Sequence, residues 1–312
     1  MILYDTTIKK GQNTVVKIPV ANLPSGTEIN LQAHVFRSKK PGPVLLLVGG
    51  LHGDEINGVE IVRRAMKSKM LQNLVMGSVI VVPLLNVYGF INFSRGLPDG
   101  KDVNRSFPGS KSGSLASRVA YKFTNEILPH ATFAVDFHTG GNSIFNYPQA
   151  RYFNEDKVSA EIAEAMNLPY TIHSKLISRS LRKTAHSKGI PLVVFEGGES
   201  LRMDEDSIQH GLRSIHNVLI AQKMIADQPV EPQHSYLITD RYWIRAGRSG
   251  LLNLKKKAGD QVKTGEVLAK ITDPYNTYKL KVIAKKSGYI FGHNNNPVVS
   301  RGDALFHIGT EE

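Results

Sequence analysis

Apolar residues along this chain fall into two alternating rhythms. The run Val44-Leu45-Leu46-Leu47-Val48 ends in glycines, and after a short polar stretch apolar residues recur at Ile56, Val59, Val62, Ala65 and Met66. A short apolar run bounded by glycine predicts a buried strand, and recurrence at three and four predicts a helix, here over 54–70. The alternation repeats. Ser78 to Leu85 predicts a second buried strand, and Leu115, Val119, Phe123 and Ile127 predict a helix that Pro129 stops nearby. Ala131 to Phe137 and Ile190 to Phe195 predict two more strands, with a helix around 156–167 between them. Asp204 is placed to cap a long helix through about Ala226. Earlier in the chain, Thr14 to Pro19 and Leu31 to Phe36 alternate in period two and predict further strands. Strands alternating with helices predict an α/β fold, a mostly parallel mixed sheet with helices on both faces.

The rhythm changes after Asp227. Gln228-Pro229-Val230-Glu231-Pro232 reads as a linker. Beyond it lies a weak internal repeat. Ser249-Gly250-Leu251-Leu252 is followed by Val262-Lys263-Thr264-Gly265-Glu266-Val267-Leu268 and Ile271; Ser287-Gly288-Tyr289-Ile290 is followed by Val299-Ser300-Arg301-Gly302-Asp303-Ala304-Leu305 and Ile308. This segment, about 240–310, resembles the lipoyl/biotinyl-type β-sandwich. Carrier domains of that type modify a lysine in the hairpin between the halves. The joining segment here, Thr272 to Tyr278, has no lysine, so a small all-β domain without a carrier function is expected. The expected division is a catalytic domain over 1–228 and a β-repeat domain over 235–312.

Composition narrows the chemistry. The 312 residues include no cysteine, which excludes disulfides, thiolate metal sites and a cysteine nucleophile. The start, Met1 to Lys10, holds no long apolar segment and no run reaches the length of a membrane span, so no signal peptide and no membrane anchor are expected, and the reading is cytoplasmic. The net charge of +12 is spread thinly: the longest basic cluster is Lys255-Lys256-Lys257, with no nucleic-acid motif around it. A solvated basic surface is the expectation, with no nucleic-acid partner, and a homo-oligomer is compatible with it.

The candidate chemistry sits at the ends of the apolar runs, where parallel sheets bind ligands. His52 and Glu55 follow the first run three residues apart, in Gly49-Gly50-Leu51-His52-Gly53-Asp54-Glu55, and His138 closes the run that starts at Ala131. Either histidine alone is more often a core or surface residue. Two imidazoles and a carboxylate on strand ends together suit one catalytic Zn²⁺ per chain with a position left open for water. Asp136, two residues before His138, is placed to accept a ligand imidazole N–H. Glu196 ends the run from Ile190 and can serve as general base, with Glu199 its nearest competitor.

Three motifs in order, Gly-Gly-x-His-Gly-Asp-Glu, Asp102-Val103-Asn104-Arg105-Ser106-Phe107-Pro108-Gly109 and Asp136-Phe137-His138-Thr139-Gly140-Gly141, resemble the succinylglutamate desuccinylase/aspartoacylase family of the zinc carboxypeptidase superfamily, over about 40–225. The resemblance implies that His52, Glu55 and His138 hold zinc and that Glu196 is the catalytic glutamate. It implies that Asn104 and Arg105 hold a substrate carboxylate, and that Arg95 polarises the scissile carbonyl. It further implies a zinc-dependent hydrolase that cleaves the amide bond of a small N-acyl amino acid. The alternative is a metallocarboxypeptidase acting on short peptides or cell-wall fragments. No local signature selects the acyl group, and Asn142 to Gln149, with Phe145 and Tyr147, is the candidate lining of the acyl or side-chain pocket.

Overall fold

In the twelve-stranded sheet that organises the chain, the apolar runs lie at the centre. Ser78–Val82, Val44–Val48, Phe133–Gly140 and Leu192–Glu199 lie side by side in that order, all parallel. Period-two alternation divides them between two cores. Leu45, Leu47, Val79, Val81, Val135, Phe137, Val193 and Phe195 belong to a core shared with helices Ile56–Lys67, Lys157–Ala165 and Glu205–Ala221. Leu46, Val48, Ile80, Val82, Ala134 and Leu192 belong to another, shared with helices Leu115–Lys122 and Leu181–Ser187. A strand covered on both faces must be apolar at nearly every position, which is why these runs are continuous. Cutting any of these large side chains to alanine costs about 2–5 kcal/mol. The structure is a computed structural model and describes residues 1–23, 25–228 and 234–311. Of the linker segment, Gln228 alone lies within the described residues.

The sheet as a whole is mixed, not mostly parallel. Asn13–Asn22 and Glu28–Arg37 form an antiparallel hairpin on one edge, because two long alternating strands are joined by a turn too short for a crossover. On the other side of the parallel quartet, Ile144–Tyr152 runs antiparallel to Leu192–Glu199. That strand corrects the reading of 142–149. Its first residues continue the sheet, and Phe145 and Tyr147 pack against the C-terminal core, while Ile144 and Asn146 face the candidate site. Two further elements, strand Tyr170–His173 and helix Leu181–Ser187, carry too few apolar repeats to be predicted.

The C-terminal strands join the same sheet. Ile144–Tyr152, Tyr170–His173, Tyr236–Arg245, Ala304–Glu311 and Gly288–Asn294 pair in turn, and Gly288–Asn294 pairs back onto Ile144–Tyr152, so these five strands close into a ring. The interior holds Tyr170, Ile172, Ile238 and Phe291. A second sheet of four strands contains Gly250–Leu254 and Val267–Thr272 from the first half of the internal repeat. It shares a core with the second half through Leu268, Ile271, Ile290, Leu305 and Ile308. Among the described residues no helix is long and apolar enough to cross a membrane.

Candidate active site

Glu55 stands at the N-cap of helix Ile56–Lys67, yet its side chain makes no capping hydrogen bond. A cap carboxylate ordinarily accepts from the helix's first free N–H groups. Here it is spent elsewhere. Oε1 lies 2.8 Å from His52 Nδ1 and Oε2 lies 2.7 Å from His138 Nδ1. Thr139 N–H and Arg95 Nη1 donate to the same carboxylate at 3.2 and 3.0 Å. Two glycines make this approach possible. A Cβ on Gly58 would lie 2.4 Å from Phe137 O, so only glycine lets the helix settle on the strand that carries His138. A Cβ on Gly53 would lie 2.0 Å from Gly89 C.

His52, Glu55 and His138 are all buried, and one potential ligand atom from each lies within 4.8 Å of the others, so the three could hold one metal ion. Their outer contacts fit that use. With Nδ1 turned inward, Nε2 of His52 lies 3.2 Å from Asp102 Oδ1, and Nε2 of His138 lies 2.8 Å from Asp136 Oδ2. A carboxylate behind each imidazole fixes its tautomer and raises its basicity, the arrangement metal-ligating histidines use. Burial opposes charge on both rings, but Glu55 with Asp102 outweighs it at His52, and Asp136 with Glu55 at His138, so both are pushed above the ordinary imidazole range. The cluster is thus built to stabilise positive charge. Its donor set, two nitrogens and a carboxylate with no thiolate, suits zinc.

These residues line a cavity of about 390 Å³. Glu196 lines it as well, and both its oxygens are engaged: Asn146 Nδ2 donates to Oε2 at 2.8 Å and Arg151 Nη1 lies 3.1 Å from Oε1. Glu199 is absent from the lining and is held by Asn295 Nδ2 at 2.6 Å. Arg95 reaches the cavity with its guanidinium shared between Glu55 and Asp102. Asn104 and Arg105 sit at the rim. Asn104 Oδ1 accepts from Leu181 N–H at 2.9 Å, and the exposed Arg105 folds back onto the Asn104 carbonyl at 2.7 Å.

Four charged or aromatic lining residues carry no sequence signal. Arg182 is buried; its Nη2 donates to Ser174 Oγ and Lys175 O, and its buried Nη1 has no partner among the described residues. Its pKa is pushed down to about 10, by burial first and by Arg151 second. Arg151, Trp243 and His307 complete the wall, the two rings stacked at 4.1 Å and 13°. The first two positions fall in elements the pattern did not reveal, and the last two lie in the C-terminal strands, about which the spacing of catalytic motifs says nothing. Asp102 belongs to a quoted motif, and the structure adds its contact with His52.

Residues 41–221 match the succinylglutamate desuccinylase/aspartoacylase catalytic domain. The chain is 28% identical over 308 residues to an N-alpha-acetyl-L-2,4-diaminobutyric acid deacetylase of Halomonas elongata, covering 94% of this chain and 90% of that protein. Its fold is similar to the crystal structure of a succinylglutamate desuccinylase/aspartoacylase from Rhodobacter sphaeroides, with a TM-score of 0.85, 26% identity and 96% of each chain covered. It is also similar to the product-bound ectoine utilization protein EutE (DoeB) from Ruegeria pomeroyi, with a TM-score of 0.84, 24% identity and 97% of each chain covered.

Proposed function

The chain belongs to the succinylglutamate desuccinylase/aspartoacylase family, and from that premise we propose that it is a zinc-dependent hydrolase that removes the acyl group from a small N-acyl amino acid. The observation that carries this reading is the buried His52–Glu55–His138 cluster opening on a cavity that also holds Glu196 and several arginines. His52, Glu55 and His138 hold the zinc. Zinc at that place lowers the pKa of water toward about 7 and polarises a carbonyl. Glu196 takes the proton of the attacking water and returns it to the leaving amine. Arg95 stabilises the negative charge that develops on the carbonyl oxygen. Asn104 and Arg105 bind the substrate carboxylate at the rim, and the unpartnered Nη1 of Arg182 offers a second, buried donor for it.

Each carboxylate at or behind the cavity wall has an imidazole or arginine partner through at least one oxygen. Glu55 and Asp102 meet imidazoles and Arg95, Asp136 meets His138, and Glu196 meets Asn146 and Arg151. The unspent charge is cationic, which favours a substrate bearing a carboxylate. Trp243 and His307 wall the cavity from the C-terminal strands, and its volume of about 390 Å³ is enough for a small N-acyl amino acid. The similarity to the Halomonas elongata deacetylase supports the same reaction class. The division into units at 1–228 and 235–312 belongs to this reading, with the second unit shaping the cavity rather than supplying a ligand. The test is an assay of zinc-loaded protein on acetyl, succinyl and formyl derivatives of amino acids, reading released amine. Turnover of at least one, lost on its methyl ester, supports the reading. Turnover of short peptides alone would replace it with a carboxypeptidase.

A further inference from the structure

Among the described residues, both carboxylate oxygens of Glu196 are held from the neighbouring antiparallel strand. Asn146 holds one oxygen at 2.8 Å and Arg151 the other at 3.1 Å, and both side chains come from Ile144–Tyr152. Each of these side chains is in turn braced. Arg151 Nε donates to Gln149 Oε1 at 3.2 Å, and the fully buried Gln149 donates through Nε2 to Phe291 O at 3.2 Å, and to Tyr147 O at 3.1 Å. Phe291 lies on the C-terminal strand Gly288–Asn294. The next residue of that strand, Gly292, pairs with Asn146, and a Cβ there would lie 2.9 Å from Asn146 Oδ1. The amide of Asn146 therefore rests against a glycine that leaves it just enough room.

We propose that the C-terminal strand Gly288–Asn294 sets the aim of Glu196, through Gln149 and Arg151 on one oxygen and through Gly292 and Asn146 on the other. Arg151, Gln149, Asn146 and Gly292 are positioning residues. A carboxylate free to rotate at the end of a strand spends most of its time away from the water it must deprotonate, and two fixed contacts remove that freedom. The ring of strands that joins the two parts of the chain thereby acquires a catalytic purpose. This inference rests on the reading of Glu196 as general base.

The experiment compares Arg151→Met, Arg151→Lys, Gln149→Met and Gly292→Ala in zinc-loaded full-length protein, each also in a Glu196→Gln background. Zinc content and far-UV circular dichroism report which variants fold. Displacing a reacting group by about 1 Å costs on the order of 10²-fold, so kcat should fall about 10–10²-fold in Arg151→Met and Gln149→Met with KM little changed. Arg151→Lys should recover part of the loss. In the Glu196→Gln background none of the four should lower the residual rate further, because the group they aim is gone. Gly292→Ala replaces Gln149→Met should the buried glutamine prove essential for folding. A raised KM at unchanged kcat would overturn the proposal by making Arg151 a substrate ligand, and equal losses in both backgrounds would overturn it by making the effect general. Normal kcat in Glu196→Gln would instead sink the general-base reading. An inactive Glu196→Gln beside normal Arg151→Met and Gln149→Met would sink the brace alone.

Discussion

His52 Nδ1 lies 3.2 Å from His138 Nδ1, across the two oxygens of Glu55. Two imidazole nitrogens turned toward one carboxylate at that distance can offer their lone pairs to one shared cation. A metal bound only by the folded chain stabilises it by mass action, about 4 kcal/mol when free metal exceeds its dissociation constant about 1,000-fold. Zinc should therefore raise the thermal midpoint of wild-type protein, measured by differential scanning calorimetry. The His52→Ala/His138→Ala double variant should show no such rise.

Asp136 accepts from His138 at 2.8 Å, from a position buried in the centre of the sheet. Asp136→Asn keeps the shape and loses the charge behind the imidazole. Such outer partners are typically worth 10–100-fold in metal affinity, so about that loss is expected in competition titration with a chelating dye. An unchanged affinity would show that the aspartate serves folding alone.

Arg182 and Arg105 should separate in their effects. Arg182 is buried with an unpartnered nitrogen, whereas Arg105 is exposed and folded onto its own backbone neighbour. A lost hydrogen bond to a charged group costs about 1.5–3 kcal/mol, so Arg182→Met should raise KM about 10–10²-fold. Arg105→Ala should raise it less. The check is steady-state kinetics on an N-acyl amino acid, with the product amine followed directly.

His307 gives the fold an acid sensitivity. Burial first, then the cations Arg151 and Arg241, push its imidazole from the ordinary 6.5 down to about 2. Below pH 6.5 the unfolded chain takes up a proton that the folded chain refuses, so stability falls as pH drops from 6.5 toward 2. One such group contributes a slope of at most about 1.4 kcal/mol per pH unit. His307→Phe keeps a ring against Trp243 and Phe291 and removes the titration. Its urea midpoint should decline less than that of wild type between about pH 7 and about pH 5. A parallel decline would show that other groups carry the acid response.

Much of this molecule was legible in the chain, for definite reasons. The four central strands are buried on both faces, so their apolar runs stand out, and His52, His138 and Glu196 are legible because each follows such a run. Asp204 was legible as a cap because its carboxylate does accept from Ser207 N–H, at 3.0 Å. Strand Ile144–Tyr152 was not, since polar Asn146, Gln149 and Arg151 interrupt its apolar positions to serve the site and its bracing contacts. The ring of five strands was hidden because its pairings connect residues far apart in sequence, such as Gly292 with Asn146. Arg182, Trp243 and His307 reach the cavity only through those pairings and through the short helix Leu181–Ser187.

The central claim is that Glu196 moves the proton at a zinc site built from His52, Glu55 and His138. The most direct measurement is turnover of an N-acyl amino acid by Glu196→Gln, with zinc content determined on the same sample. Glutamine is nearly isosteric with glutamate and cannot accept the proton, so kcat should fall by about 10²–10⁴-fold while zinc remains near one per chain. Near-normal kcat with zinc in place would contradict the account and turn attention to another base.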